Sequence, residues 1–513
     1  MEPVETERSA PRAVTVLAVA LAAALAIALA VMVAVSVYDH SYADDWHYGV
    51  DAHLALEAGE GLPGAVAAAA REVADTYGSW QGTYSAIFLM ALQPGVFGEQ
   101  YYGAGAVFII AALAAATLYA ARVVVRDVLG APRAVWLALS CAVLLLQTQL
   151  LPSPVEGFWW YNSAVYYTFY HALMLVGAGL AVRIARGRTW RGPLGRAGLA
   201  LRSCALAALA FAIAGGNFVT GLVAGLALFA ATVGGIARGN RRCQALIPAL
   251  VVYTADFALS MAAPGNAVRQ ASQFSGDGLG VVMTLVRSAL AGVEYLVLWT
   301  NGLLVLVLAL TVPAMLWAAR RSSCSFAHPW APAAASVLLF MASFAPTFYS
   351  MGTVGPGRVQ NVRYDLFVVL VMVCVGWLCG WCVRRAEALG WDAEAPHARL
   401  RTAWTAYTVA LVAVAVLVVG ALAVDARHRD DVVAISAAAS LASGEAEAYD
   451  EQVWSRIATL TESPAAEVRV PFYTEGPKVL FMGDIRDNMD NYINYRLAQW
   501  YGRDSVIGYT PAS

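Results

Sequence analysis

An all-α, polytopic membrane protein is the fold class this sequence predicts, on three observations. Of 513 residues, 60% are apolar and only 13% are charged; the mean hydropathy is +0.61; and uncharged stretches long enough to cross a bilayer recur along the chain. A soluble chain of this length would divide into about three domains, whose polar surfaces this composition cannot supply. The 33 basic and 35 acidic residues leave a net charge of −2, so there is no basic field to draw a nucleic acid. Lys478 is the only lysine, and with 43 glycines and long Ala/Val/Leu runs it points to GC-rich bacterial coding. Cys141, Cys204, Cys243, Cys324, Cys374, Cys379 and Cys382 fall in apolar spans or beside arginine-rich connections, which leaves no external disulfide framework. Cys379-Gly-Trp-Cys382 lacks the strand–helix context of a redox pair and reads as apolar filler.

A hydrocarbon core about 30 Å thick takes about 20 helical residues at about 1.5 Å each. On that length the spans fall at 13–37, 101–121, 134–151, 166–182, 203–216, 217–236, 244–262, 299–319, 331–349, 365–383 and 403–424, eleven in all. Residues 13–37 are too long for a removed signal peptide and read as an anchor, leaving 1–12 as a cytoplasmic N-terminus. Gly215-Gly216-Asn217 reads either as a tight turn or as a kink, with Asn217 satisfying the interrupted backbone. Arginine accumulates in alternate connections: Arg122, Arg126 and Arg133; six from Arg183 to Arg202; Arg238, Arg241 and Arg242; Arg320 and Arg321; Arg384, Arg385, Arg399 and Arg401. Basic residues in short loops stay cytoplasmic, so the N-terminus is inside a bacterial cytoplasmic membrane and the C-terminus outside.

Three external segments stand out. Residues 38–100 form a large first loop, in which Pro63, Ala65–Val73 and Tyr84–Leu92 predict helices lying along the interface. Residues 279–298 are apolar yet carry Arg287 and Glu294, which suits a surface-lying helix or a cavity wall. Residues 425–513 turn polar and read as a small α/β segment: helix over 428–463, strands at 468–473 and 478–484, and an amphipathic helix over 489–501. At that size the segment is too small to carry a large core of its own.

The chemistry-bearing residues gather on this outer side. Asp39, His40, Asp44, Asp45, His47 and Asp51 follow directly on the first span, among Tyr42, Trp46 and Tyr48. A carboxylate at the bilayer centre costs about 2.5 to 3.5 kcal/mol, which places this group at the interface, where lipid headgroups sit. An ionised aspartate there can accept a proton from a hydroxyl nucleophile. Neighbouring side chains diverge, so one of Asp44 and Asp45 faces the reacting group while the other holds the loop or a cation. A plain interfacial belt of aromatics with polar caps explains the same residues. His40, Asp44, Asp45, His47 and Asp51 also offer ligands for a loosely held divalent cation, without the regular spacing of a structural metal site.

An acidic pair just after the first span, a large first external loop and a small external tail resemble the GT-C superfamily of membrane glycosyltransferases. The stretches Asp44-Asp45-Trp46, Trp80-Gln81-Gly82-Thr83-Tyr84-Ser85, Ala263-Pro264-Gly265-Asn266-Ala267-Val268-Arg269 and Asp484-Ile485 to Tyr501-Gly502 are similar to a family of bacterial multi-pass proteins associated with that superfamily. The resemblance implies a polyprenyl-phosphate-linked sugar as donor, a first-loop aspartate as base, and a second acidic residue in another external loop, for which Glu156 is the match.

The remaining external groups then take roles. Arg358 and Arg363, in a glycine-rich loop, and Arg269, after Pro264-Gly265-Asn266, are candidates to neutralise a departing phosphate; contact with lipid headgroups explains them equally. Trp80, Gln81, Trp159, Trp160, Tyr161 and Asn162 are candidates to shape a sugar pocket, with Asn266 beside Arg269. The expected reaction moves a sugar to a hydroxyl of an outer-surface glycan, lipid or protein, with inversion after one displacement. Two alternatives stand: a transporter or flippase of lipid-linked saccharides, with ionisable sites near the midplane, and a non-catalytic envelope scaffold. The spans look nearly free of acids, Asp256 excepted, which disfavours transport.

Overall fold

The computed structural model describes residues 10–189, 191–390, 397–425 and 427–510, apart from the side chains of 397–403. Residues 1–9 and the side chains of Arg399 and Arg401 lie outside the described residues. The molecule is a helical membrane protein, with two short strand pairs among the described residues. Eleven described helical stretches are long and apolar enough to cross a membrane, from Arg12–Tyr38 to Trp404–Val424. Their membership differs from the expected set in two places. Arg133–Gln149 reaches only 17 residues, and Val281–Trp299, expected as a surface-lying helix or a cavity wall, is long and apolar enough to span.

The packing of Val281–Trp299 explains the second difference. Just before it, the Leu279 amide donates to the Phe348 carbonyl, near the outer end of the Ala345–Met351 helix. At its far end Trp299 packs on Tyr364 and Phe367, at 5.4 and 5.7 Å between ring centroids. Those rings sit about 10 to 15 Å below the start of Gly357–Ala388, whereas 19 helical residues measure about 28 Å. The helix therefore descends obliquely. Asn301 caps the next helix by accepting the Leu304 amide at 2.9 Å, and Gly302–Arg321 continues the same descent to the end where Arg384 donates to the Ala319 carbonyl at 3.0 Å.

Phe218–Ala237 begins at Asn217, whose side chain accepts the Thr220 amide at 2.7 Å and donates to the Tyr166 carbonyl at 2.6 Å. Gly215-Gly216-Asn217 is thus the turn between two helices, and Asn217 closes the interrupted backbone as the sequence predicts.

The first loop folds as three helices, Asp44–Glu57, Gly61–Ser79 and Tyr84–Ala91. The C-terminal segment supplies Val433–Ser443, Glu445–Glu462 and Tyr492–Trp500, with Glu467–Pro471 paired in parallel to Ser505–Tyr509. The strand expected at 478–484 is irregular backbone, because Glu467–Pro471 takes its partner from the chain end instead. Nor is the segment a separate cap. Trp46, Ala52, Ala55 and Val96 of the first loop share one core with Leu460, Val468, Val470, Ile485, Leu497, Trp500 and Val506. Each fully buried large side chain of this set contributes about 1.5 to 3 kcal/mol, so the loop and the segment stabilise each other.

Candidate functional site

The two adjacent aspartates have opposite fates. Asp45 is fully buried. It accepts the Tyr42 amide at 2.9 Å, the Tyr102 hydroxyl at 2.6 Å and the Asn162 amide at 3.2 Å. Burial pushes its carboxyl up to about 8, against the pull of those three donors toward the ionised form. It pins the loop, which corrects its candidacy as a base. Ala43, just before the pair, sits at φ 49°, a conformation that costs a residue with a Cβ. That bend directs Asp45 inward while Asp44 stays partly exposed at the helix start, where the dipole favours a carboxylate. Asp44 accepts a hydrogen bond from the Tyr492 hydroxyl at 2.8 Å.

An ion pair interacts electrostatically with Asp44. Arg358 donates to Glu156 at 3.0 Å, and its guanidinium lies 5.3 Å from the centre of the Trp160 ring. Asp44 lies within electrostatic reach of Arg358. Trp160 is held by a bond from its indole N–H to the Tyr42 carbonyl at 3.1 Å. Its neighbours are not sugar platforms. Trp159 is fully buried, donating to Ser36 Oγ at 3.0 Å, and Tyr161 is buried with its ring against Gly105. Both corrections follow from their packing between spans. Asn162 holds Asp45 through its amide, while its buried side-chain oxygen and nitrogen have no partner among the described residues.

Two sequence stretches singled out separately form one joint. The Gly82 amide donates to Asn266 Oδ1 at 3.2 Å, and Asn266 Nδ2 donates to the Ser260 and Met261 carbonyls. Asn266 is therefore spent on backbone, which corrects its place among substrate-binding residues. Gly265 lies so close to the Trp80 and Gln81 amides that a Cβ would collide with them. The joint delivers Arg269, which donates to Gln81 Oε1 at 2.7 Å and lies 5.2 Å from the centre of the Trp80 ring.

Arg363 is a correction too. It is fully buried, donating to the Ser343 and Val354 carbonyls, Gln360 Oε1 and Thr347 Oγ1. It ties helix ends together with four of its five N–H donors, fully buried among them.

Arg269 and Arg358 both lie within electrostatic reach of Tyr166 and Tyr167, and Arg269 and Asp44 within reach of Tyr48. Electrostatic interactions thus connect Asp44 and Arg269 with Tyr48, Arg269 and Arg358 with Tyr166 and Tyr167, and Asp44 with Arg358, which Glu156 holds. Tyr48, Tyr166 and Tyr167 are explained from sequence equally by an aromatic belt, and Tyr492 went unnoticed because nothing local ties it to Asp44.

The five suggested cation ligands disperse. His40 bridges Glu99 and Asp450, Asp45 is locked as described, and His47 packs on Tyr48 with its imidazole pushed down to about 4 by burial and by Arg496. Among the described residues no group of three or more His, Cys, Asp or Glu gathers to hold a metal ion. A cavity of about 20 Å³ beside His40, Glu99, Arg456 and Asp484 has room for about one water, too little for a sugar. His171 is buried and hydrogen-bonded to Gln147 at 3.1 Å. Comparison with protein-family models, with curated proteins and with solved structures finds no match.

Proposed function

We propose that this protein is a membrane glycosyltransferase that moves a sugar from a polyprenyl-phosphate donor to a hydroxyl of an outer-surface glycan, lipid or protein. The observation that carries the reading is the grouping of Asp44 with Arg358, Glu156 and Arg269 at the outer end of the bundle. Asp44 is partly exposed and keeps an oxygen for a substrate, so it is the base. It takes the proton of the acceptor hydroxyl as that oxygen bonds to the anomeric carbon. The bond from the anomeric carbon to phosphate oxygen breaks, its electron pair stays with the phosphate, and Arg358 and Arg269 offset the charge. One displacement inverts the anomeric centre. Glu156 holds Arg358 in place and, with Trp80 and Trp160, borders the sugar. In this reading the first loop and the C-terminal segment face outward from a bacterial cytoplasmic membrane, and the arginine-rich connections face inward.

The test is a membrane assay with labelled polyprenyl-phosphate hexoses and pentoses. General-base help is worth about 10² to 10⁴ in rate, so Asp44→Asn abolishes most transfer while leaving expression intact. Undiminished transfer by Asp44→Asn discards the reading.

One observation favours a second reading, a flippase of lipid-linked saccharides. Contrary to the expectation of spans nearly free of acids, Asp365 is fully buried within Gly357–Ala388 with neither oxygen partnered among the described residues. Movement of a fluorescent lipid-linked saccharide across liposomes that is lost in Asp365→Asn and kept in Asp44→Asn decides for it.

A further inference from the structure

We propose that Tyr492, supplied by the C-terminal segment, is a positioning residue for Asp44; this deepens the transferase reading and rests on Asp44 being its base. Tyr492 opens the Tyr492–Trp500 helix, 448 residues along the chain from Asp44, and its hydroxyl donates to Asp44 Oδ1 at 2.8 Å. A rigid element delivers that hydroxyl. Asn491 caps the helix by accepting the Ile493 amide at 3.0 Å. At the other end Trp500 stacks on His53, with ring centroids 4.2 Å apart and planes 6° apart, and Gly49 leaves it room to approach. The Tyr492 ring itself is braced by the Arg496 guanidinium at 5.2 Å and by the His47 ring, edge-on at 6.1 Å.

A single donor on one oxygen suits a base. Tyr492 fixes the carboxylate through Oδ1, while no hydrogen bond reaches Oδ2 among the described residues, so Oδ2 is available to an acceptor hydroxyl. The other titratable groups facing Asp44 are Tyr42 and Asp45 beside it, Tyr48 one turn along its own helix, and Arg358 across the site, with Arg496 behind Tyr492. Of these, only Tyr492 touches the carboxylate through a hydrogen bond among the described residues.

The experiment uses the full chain in lipid nanodiscs and does not need the natural substrate. Dicyclohexylcarbodiimide modifies carboxyl groups that are free to react, so the rate of Asp44 modification at a fixed pH, read by mass spectrometry, reports how firmly its hydrogen bond holds it. Tyr492→Phe keeps the ring and its neighbours and removes only the donor, and modification of Asp44 becomes several-fold faster. Tyr492→Gln, which keeps a donor, leaves the rate near the wild-type value. Tyr495→Phe, on the same helix but without a bond to Asp44, does not change it. An unchanged rate in Tyr492→Phe, or an equal rise in the Gln or Tyr495 variant, overturns the proposal. In transfer assays with the same donor panel, Tyr492→Phe lowers kcat about tenfold with little change in KM. If the modification rate rises but Asp44→Asn retains full transfer, the positioning stands and the transferase reading falls. Hydrogen exchange over Tyr492–Trp500 checks that the helix stays docked; a Phe variant that undocks it, with the Gln variant also modified faster, counts against the proposal.

Discussion

His40 is the clasp between the first loop and the C-terminal segment, and its protonation sets how tightly the two hold. The ring is buried, with Nδ1 3.2 Å from Glu99 Oε1 and Nε2 2.8 Å from Asp450 Oδ1, between the rings of Tyr449 and Trp454. Burial opposes the charge, but the hydrogen bonds to Asp450 and Glu99 outweigh it and raise the imidazole from 6.5 to about 9. That rise, at about 1.36 kcal/mol per unit, amounts to on the order of 3 kcal/mol favouring the docked state. Because the folded value is the higher one, the stabilisation is complete below about pH 6.5 and is lost as the pH rises through about 9. Asp39, also buried beside Asp45 and Glu99, has its carboxyl raised by burial and acts in the same sense, losing stability as the pH rises, so the comparison must be between wild type and His40→Gln. The assay is hydrogen exchange of Glu445–Glu462 amides in nanodiscs at pH 6 and 9.5, corrected for intrinsic exchange. Between those pH values opening becomes easier in the wild type by about 3 kcal/mol more than it does in His40→Gln, which keeps the share due to Asp39. Parallel pH dependence in the two proteins refutes the clasp.

Two further outcomes follow from the same geometry. Asp45→Ala leaves the Tyr42 and Asn162 amides and the Tyr102 hydroxyl without their acceptor in a dry site, at about 1 to 3 kcal/mol each, so its melting temperature in detergent falls steeply while that of Asp44→Asn does not. Gly265→Ala forces a Cβ against the Trp80 and Gln81 amides, costs about 1 to 3 kcal/mol, and weakens the hold on Arg269; a lowered melting temperature with altered Trp80 fluorescence in a single-tryptophan background is the signature.

Much of the bundle was legible because hydropathy is a one-dimensional signal. The first span, read as 13–37, is the Arg12–Val35 helix, and the arginine-rich ends fall where the spans stop. Val281–Trp299 was misplaced because Arg287 and Glu294 mark a polar face but say nothing of tilt, which is fixed by Trp299 finding Tyr364 and Phe367. The C-terminal strand partner was missed for a similar reason: a parallel pair joins residues a helix and more apart, and the apolar run at 478–484 outscored the true partner at Ser505–Tyr509.

The candidate site shows where sequence stops being informative. Asp44 and Asp45 are identical in type and adjacent, so only groups 57 and 117 residues from Asp45, Tyr102 and Asn162, separate the buried anchor from its partly exposed neighbour. Arg358 and Arg363 stand five residues apart on one helix, about 140° around its axis. That rotation turns Arg358 toward Glu156 and Trp160 and turns Arg363 into the bundle, onto Ser343 and Thr347. By the same period Asp365, seven residues on from Arg358, returns to within about 20° of its face, two turns deeper. The face that carries Arg358 toward Glu156 therefore continues along the helix to Asp365, whose carboxyl oxygens have no hydrogen-bond partner among the described residues.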